Sequence, residues 1–372
     1  MNKWIREDLK DYAPYNATAK PTPIVLDANE SPWNLPAAVR QDMVDWFMNE
    51  ENLNRYPDTD CIELREALTA FWGKGLTKEN IVCGVGSDQL IDYITKAVLM
   101  PGDTAVVTTP SFSMYGLSAR LNHGNVVAFP LAAENDFHLD EEAFVEFAKA
   151  NNAKLVFLCT PNNPTGTVMA DGVVRRIAEA LDCVVVVDEA YNEFQTPEMC
   201  EIPEQNDHVI WESLTLIPWV HTLENVIVLR TFSKAYGLAG ARIGYSVSHP
   251  ALAEAINIVR APYNVPTISQ RLALSVLSHM EEYRPRIAEL TTAARRLWSL
   301  LVGIPHIKLY SSEANFVYFE TEVNVSAALE AAGIRARVFQ RGEREKIRLS
   351  SGTEEQNDLA FRVIYECVRK RG

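Results

Sequence analysis

The chain has 372 residues, of which 47% are hydrophobic and 23% charged, and its formal net charge is −14. This composition is that of a globular protein with room for a large domain and a lesser one, and it excludes disorder. The acidic balance argues against nucleic acid as a partner. No apolar run reaches the roughly 18 to 20 residues that a membrane span needs, so no membrane partner is expected.

The first ten residues mix basic and acidic side chains without an apolar stretch, which does not resemble a secretion signal, so a cytoplasmic protein is expected. The six cysteines include no C-x-x-C pair, and the seven histidines show no H-x-x-x-H or H-x-H spacing. These spacings predict no metal site.

Short β-branched runs recur along the first two thirds of the chain, and each ends in a polar or Gly/Pro-rich turn. The runs are nearly continuous in apolar residues, as in parallel strands buried on both faces. Because helical segments separate them, we predict an α/β fold with a doubly wound, mostly parallel sheet and ligands beyond the carboxyl ends of its strands. The predicted strands are Ile81–Val85, Thr104–Thr108, Lys154–Cys159, Val184–Val187 and Val226–Leu229, and the predicted helices are Ser87–Leu99, about Phe112–Leu121, Gly172–Leu181 and Leu252–Val259.

The last third of the chain has a different pattern. Pro266–Leu301 is long and helical in its spacing, and it is followed by strand-like Asn315–Phe319, a helix near Val325–Ala332 and strand-like Lys346–Ser350. This pattern predicts a smaller α+β domain, built from residues 1–40 and 266–372. The large domain is then predicted to cover residues 41–265.

Lys234 is the last residue of the segment Arg-Thr-Phe-Ser-Lys, which follows the predicted strand Val226–Leu229, and Arg242 lies eight residues further on. One interpretation is a loop lysine at the edge of a sheet. The alternative is a lysine that forms a Schiff base, with neighbouring hydroxyls and an arginine ready to hold a phosphate.

Asp188 ends a run of four valines and is followed by Glu-Ala-Tyr191. An acid in this place either caps the next segment or provides an ionised carboxylate for a pyridinium nitrogen. The tyrosine three residues later is then within reach of the phenolic oxygen of the same ring.

Two further turns fall at the same edge of the predicted sheet. Thr160–Gly166 (TPNNPTG) has the composition of an ordinary polar turn, but its place beside Asp188 and Lys234 favours a functional role. Gly84–Gln89 (GVGSDQ) lacks the third glycine of a dinucleotide fingerprint, so it does not predict NAD binding. It suits a phosphate at a helix N-terminus, and its Ser or Asp also suits an N-cap.

Together, NNPTG, DEAY and S-K-x-x-x-L-x-x-x-R resemble the fold-type I aminotransferases, which use pyridoxal phosphate. The resemblance covers nearly the whole chain, from about Asp27 to Thr353. Ala28–Glu30, Tyr56–Asp58 and RTFSKAYGLAGARIGY are most similar to the histidinol-phosphate aminotransferase family within that superfamily.

The resemblance implies a role for each matching residue. Lys234 carries pyridoxal 5'-phosphate, Asp188 pairs with its ring nitrogen, and Asn163 and Tyr191 bond its 3-oxygen. Lys234, Asp188 and Tyr191 form the catalytic set. Phe112 stacks on the ring, and the phosphate is surrounded by Ser87, Asp88, Thr231, Ser233 and Arg242. Tyr56 reaches the phosphate of a neighbouring subunit, which implies a homodimer with shared active sites.

The resemblance also implies that Arg348 binds the substrate's carboxylate or phosphate, with Arg337, Tyr15 and Asn29 as further substrate contacts. The expected reaction is transfer of the amino group of histidinol phosphate to 2-oxoglutarate, in histidine biosynthesis. An aromatic or broad-range aminotransferase and a phospho-amino-acid decarboxylase on the same scaffold remain open. A non-catalytic regulator would need a DNA-binding module, for which the first 26 residues are too few.

Three departures from the family pattern affect these expectations. Gln89 stands where many relatives carry Glu, and Ser350-Ser351 replaces a more apolar pair. Residues 195 to about 211 are additional length between DEAY and the predicted strand that precedes Lys234. None of the three touches the cofactor residues, so they bear on substrate choice rather than on cofactor use.

Overall fold

The computed structural model describes residues 3–12, 21–49, 53–195, 214–341 and 344–370. Two sheets organise these residues, one of seven strands and one of five. In chain order the elements are β1 (Ile24–Leu26), α1 (Ala37–Asn49), α2 (Ile62–Trp72), β2 (Ile81–Gly84), α3 (Gly86–Val98), β3 (Thr104–Thr109), α4 (Met114–Leu121), β4 (Asn125–Pro130), α5 (Glu141–Ala150), β5 (Ala153–Cys159), α6 (Asp171–Ala180), β6 (Val184–Asp188), β7 (Val226–Thr231), β8 (Gly244–Ser248), α7 (Pro250–Val259), α8 (Thr267–Ser278), α9 (Met280–Leu301), β9 (Ile307–Leu309), β10 (Phe316–Thr321), α10 (Val325–Ala331), β11 (Ile334–Gln340), β12 (Glu345–Ser350) and α11 (Glu354–Arg369).

The seven-stranded sheet has the order β2-β8-β7-β6-β5-β3-β4. Neighbouring strands from β4 to β7 are parallel, and β8 runs antiparallel to both β7 and β2. The prediction of an α/β fold with a mostly parallel sheet is therefore confirmed, and each predicted strand is present within one or two residues of its expected ends.

Both faces of this sheet are covered, which explains why its strands are apolar throughout. On β6, Val186 packs with α3, α4 and α7, whereas Val185 and Val187 pack on the opposite face with α2, α5, α6 and α8. All three valines are fully buried. Because side chains alternate along a strand, those of β6 contribute to two separate cores, and apolar residues are favoured at its buried positions.

The five-stranded sheet has the order β1-β11-β12-β10-β9, and β1 pairs parallel to β11. Val317 and Phe319 of β10 and Ile347 of β12 face a core shared with α10, α11 and the end of α9. Because strand side chains alternate, Tyr318 and Arg348, which are register partners, lie on the opposite face. The second, smaller sheet joins a strand near the start of the chain to the last third, as predicted.

The stretch predicted as one long helix, Pro266–Leu301, is two helices, because the backbone leaves the helical conformation at His279 (φ −122°, ψ 35°). In α9, Tyr283 and Ile287 pack in the core of the large sheet, whereas Leu297 and Leu301 pack in the core of the small sheet. This helix therefore links the two cores. The exact domain limits, 41–265 against 1–40 and 266–372, stay a prediction.

Candidate active site

The predicted nucleophile, Lys234, lies three residues beyond the carboxyl end of β7. Its Nζ donates a hydrogen bond to the carbonyl oxygen of Ala28 at 2.7 Å and lies 5.8 Å from the centre of the Tyr191 ring. Burial, together with the positive charge of Arg348, lowers the pKa of Lys234 to about 8. A lysine with this pKa holds a larger fraction of neutral amine near neutral pH, and the neutral amine is the nucleophilic form.

Asp188 is the last residue of β6 and is 4% exposed. Its Oδ2 accepts a hydrogen bond from the hydroxyl of Tyr115 at 2.7 Å, and its Oδ1 accepts one from the N–H of Ala190 at 3.0 Å. Burial raises the pKa of Asp188 to about 6, although these hydrogen bonds and the charge of Lys234 act in the other direction. A cation placed against this carboxylate would stabilise its charged form.

Tyr191 follows Asp188 in the chain and is 4% exposed. The side-chain amide of Asn29 donates to its hydroxyl at 3.0 Å, and burial raises the pKa of Tyr191 to about 12 against the effects of Arg348 and Asn29. The Oδ1 of Asn29 in turn accepts from the Ser350 hydroxyl at 2.9 Å. Asn29 therefore ties Tyr191 to β12, and its predicted contact with substrate stays a prediction.

Arg348 lies on β12 and is 7% exposed. Its guanidinium donates to Oδ1 of Asn163, in the turn after β5, and to the carbonyl oxygen of Asp27. The same group lies 5.4 Å from the centre of the Phe316 ring. The arginine of the small sheet thus reaches the polar edge of the large sheet, and the predicted substrate and cofactor residues meet there.

The residues predicted to surround a phosphate lie at the first turn of α3 and after β7. Nη1 of Arg242 is 3.5 Å from the hydroxyl of Ser233, and Nη2 is 3.7 Å from the carboxylate of Asp88. The hydroxyl of Thr231 accepts the backbone N–H of Ser233 at 3.1 Å. Ser87 follows Gly86, the first residue of α3, where backbone N–H groups are not used within the helix.

Gly244, the first residue of β8, sets the position of this turn. A Cβ atom at Gly244 would lie 2.8 Å from the carbonyl oxygen of Arg230 and 2.9 Å from the backbone nitrogen of Ser87. Both contacts are closer than side chains tolerate, and both involve backbone, which cannot rotate away. The glycine therefore lets β8 pass directly beneath the first turn of α3.

Phe112 is half-buried just before α4, and its ring meets that of Tyr115 edge-on, with centroids 5.5 Å apart and an interplanar angle of 80°. Tyr115 links this ring to Asp188. Phe112 and the carboxylate predicted to hold the ring nitrogen thus share Tyr115 as a neighbour.

Three further residues, Arg337, Tyr56 and Tyr15, were predicted to contact the substrate or a phosphate. Arg337 lies on β11 as the register partner of Arg348, 5.8 Å from the Phe339 ring. Tyr56 is 81% exposed and stacks on Tyr263, with centroids 4.5 Å apart. Tyr15 lies outside the described residues, as does the predicted additional segment beyond Gln195.

Sequence reasoning missed a buried ion network directly behind the site. Arg230, on β7, is 1% exposed and donates to Glu189 Oε2 at 2.9 Å and to Glu193 Oε1 at 2.6 Å. The sequence does contain an indication of this network, because a charged residue inside an otherwise apolar strand needs a buried partner of opposite charge. Tyr115 was also missed, since its spacing from Phe112 is that of an ordinary core residue.

The chain is similar in sequence to known aminotransferases. The chain matches the family described as aminotransferase class I and II over residues 21–364. It is 37% identical, over 100% of both chains, to the histidinol-phosphate aminotransferase of Ruminiclostridium cellulolyticum. It is 35% identical to the protein of the same name from Caldanaerobacter subterraneus subsp. tengcongensis, over 98% of both chains.

Among solved structures, the chain is similar to the histidinol-phosphate aminotransferase of Sinorhizobium meliloti in complex with pyridoxal-5'-phosphate. The TM-score is 0.81 and the identity 26%, over 94% of this chain and 92% of that one. Within the part of the chain that the structure describes, no helix is both long and apolar enough to cross a membrane. The chain belongs to the class I and II aminotransferase family.

Proposed function

We propose that this chain is a pyridoxal-phosphate-dependent aminotransferase that takes the amino group from histidinol phosphate and gives it to 2-oxoglutarate. One observation carries the proposal. The Lys234 amine, the buried Asp188 carboxylate and the Arg348 guanidinium converge between the two sheets, and Arg348 itself contributes to the lowered pKa of Lys234.

The residues fit the cofactor chemically. The buried carboxylate of Asp188 has a raised pKa and suits a pyridinium as its positive partner. Phe112 provides an aromatic face, and Asn163 and Tyr191 are positioned for an oxygen on the ring. The hydroxyls of Thr231 and Ser233, with Arg242 and the first turn of α3, form a cradle for a phosphate.

When bound, pyridoxal phosphate supplies a carbonyl that bonds to amines and a ring that accepts the electron pair left at the substrate's Cα. The protein supplies the rest. Asp188 favours the protonated ring nitrogen, which strengthens that electron acceptance. The Lys234 amine would act as the base that takes the proton from the substrate's Cα.

Arg348 and Arg337 support the proposed substrates. They are register partners on neighbouring strands, and Phe339 lies 5.8 Å from the Arg337 guanidinium and 5.9 Å from that of Arg348. Two guanidinium groups side by side suit a dianionic phosphate ester, and one of them suits a carboxylate. This local positive charge is needed because the chain carries a net charge of −14.

An aromatic or broad-range aminotransferase and a phospho-amino-acid decarboxylase would use the same cofactor residues. They differ in the substrate group that Arg348 and Arg337 would bind. Holoenzyme mixed with histidinol phosphate, without an oxo acid, should convert the aldehyde form of the cofactor to its amine form. Addition of 2-oxoglutarate should restore the aldehyde form. Release of CO₂ from a phosphorylated amino acid would favour a decarboxylase, and equal rates with aromatic amino acids would favour a broad-range aminotransferase.

The arginine pair gives a sharper version of this experiment. Arg337→Gln removes a charge-assisted contact worth about 1.5–3 kcal/mol, so the KM for histidinol phosphate should rise about 10- to 150-fold. The KM for glutamate in the reverse half-reaction should change far less. Arg344→Gln, at an exposed arginine paired with Glu322 at 3.0 Å, is the matched control and should leave both unchanged.

We also propose that the working unit is a homodimer in the cytoplasm, with Tyr56 acting on the partner's phosphate cradle. The support is an exposed apolar set of side chains that precedes Tyr56 in the chain, because a face of exposed apolar residues marks an interface. It includes Val44, Phe47 and Met48 of α1 and Leu53, which are 42% to 78% exposed.

A mixing experiment tests the shared site. Tyr56→Phe and Lys234→Ala should each be impaired alone, and a mixed dimer should regain activity, because one of its two sites has both residues intact. A fully active monomer, or a Tyr56→Phe enzyme with normal cofactor affinity, would contradict the proposal.

A further inference from the structure

Tyr115 lies in the first turn of α4 and is 1% exposed. Its ring stacks on Phe157 of β5, with centroids 4.8 Å apart and an interplanar angle of 9°. Such close parallel packing in a core holds the ring in one orientation. The position of the hydroxyl is therefore determined by the fold.

The hydroxyl points at the carboxylate of Asp188. It donates to Oδ2 at 2.7 Å, while the N–H of Ala190 donates to Oδ1 at 3.0 Å. Burial raises the pKa of Tyr115 well above its ordinary value, so the hydroxyl remains a donor at every relevant pH. With one donor on each oxygen, the plane of the carboxylate cannot rotate without breaking a hydrogen bond in a buried environment.

The same ring has a second contact at the site. Phe112, the proposed stacking partner of the cofactor, meets Tyr115 edge-on with centroids 5.5 Å apart. Edge-to-face contacts of this kind are favourable and directional. Tyr115 thus contacts two side chains that the proposed function assigns to the cofactor ring, one beside its nitrogen and one over its face.

We propose that Tyr115 is a positioning residue for the cofactor, acting through the Asp188 carboxylate and the Phe112 ring. The inference rests on the proposed function, because it assumes that both partners contact pyridoxal phosphate. It predicts that the phenol hydroxyl matters for cofactor binding only as long as an ionisable carboxylate stands at residue 188.

Tyr310 provides a matched control. It is also 1% exposed, and its hydroxyl also donates to a buried carboxylate, Glu320 Oε1, at 2.9 Å. Tyr310 lies between β9 and β10 and packs against Phe137 and Tyr318 rather than at the carboxyl ends of the large sheet's strands. Tyr310→Phe therefore reproduces the loss of a buried tyrosine-carboxylate hydrogen bond without touching the proposed site.

The test is a double-mutant cycle on cofactor affinity, which needs no turnover. The Kd of pyridoxal phosphate for the full-length apoprotein is measured by quenching of tryptophan fluorescence. We expect Tyr115→Phe to weaken binding about tenfold or more, as for a hydrogen bond to a charged group, and Tyr310→Phe to stay within about twofold of wild type. In an Asp188→Asn background, Tyr115→Phe should weaken binding by less than about threefold.

A second measurement reports geometry. The visible circular dichroism of the bound cofactor should change in Tyr115→Phe and stay unchanged in Tyr310→Phe, because only the first variant removes a hydrogen bond from the Asp188 carboxylate. Equal weakening by Tyr115→Phe in both backgrounds, or identical behaviour of the two tyrosine variants, would overturn the inference. A wild-type apoprotein that does not bind pyridoxal phosphate would instead contradict the proposed function.

Discussion

Arg230 should contribute more to stability than any exposed arginine, because it is the positive partner of two buried carboxylates. Its guanidinium bonds Glu189 and Glu193, and all three side chains are at most 2% exposed. The guanidinium also lies 5.0 Å from the Trp72 ring. Removing one partner from a buried ion pair costs about 3–5 kcal/mol, because the remaining charge is left without compensation.

The cost of Arg230→Met should depend on pH. Burial raises the pKa of Glu189 to about 7 from an ordinary value of 4.5, although Arg230 acts to lower it. The folded protein therefore binds more protons than the unfolded chain, and this residue makes the free energy of unfolding fall as pH rises from about 4.5 to 7. Without Arg230 the pKa rises further, so the fall continues to higher pH, and the difference from wild type grows with pH.

Urea denaturation of the apoprotein at pH 6 and pH 8 measures this directly. We expect Arg230→Met to lose about 3–5 kcal/mol at pH 8 and clearly less at pH 6. The control is Arg176→Met, which removes an exposed guanidinium that bonds Glu141 at 2.8 and 2.6 Å, and its effect should be far smaller at both pH values. Equal losses from the two variants, or a loss at Arg230 that does not vary with pH, would refute this reasoning.

The site itself leads to three further predictions. Asp188→Asn should still bind pyridoxal phosphate but lose turnover by about 10³-fold or more, and near-normal turnover would show that Asp188 is only a structural cap. The affinity of the wild-type apoprotein for pyridoxal phosphate should fall below pH 6, where Asp188 takes up a proton. In Asp188→Asn the affinity should no longer fall for this reason. Gly244→Ala should weaken cofactor binding by displacing Ser87. Gly240→Ala should not, because no atom lies within 4 Å of a Cβ added there. Equal affinities of the two variants for pyridoxal phosphate would contradict the proposal that the first turn of α3 holds the phosphate.

The cofactor residues could be predicted from sequence because each follows a strand of a parallel sheet. Asp188 and Lys234 are separated by 46 positions in the chain, yet β6 and β7 are parallel neighbours whose carboxyl ends meet at one edge. Once the apolar runs are recognised as parallel strands, the polar residues that follow them must converge.

The supporting residues could not be predicted in this way. The hydroxyl of Tyr115 reaches Asp188 only through the packing of α4 on the large sheet, and its sequence spacing is that of a core residue. Asn29 binds Tyr191 because β1 joins the small sheet next to β11, a pairing between residues more than 300 positions apart. The interruption at His279 was also hidden, since the apolar spacing continues through both helices.

The central claim is that Lys234 is the amine that holds pyridoxal phosphate. Borohydride reduction of the holoenzyme makes a Schiff base permanent, and proteolysis with peptide mapping then locates the labelled lysine. We expect a single label on Lys234 and none in the Lys234→Ala variant. A label on another lysine, such as Lys96 on α3, with Lys234 unmodified, would contradict it.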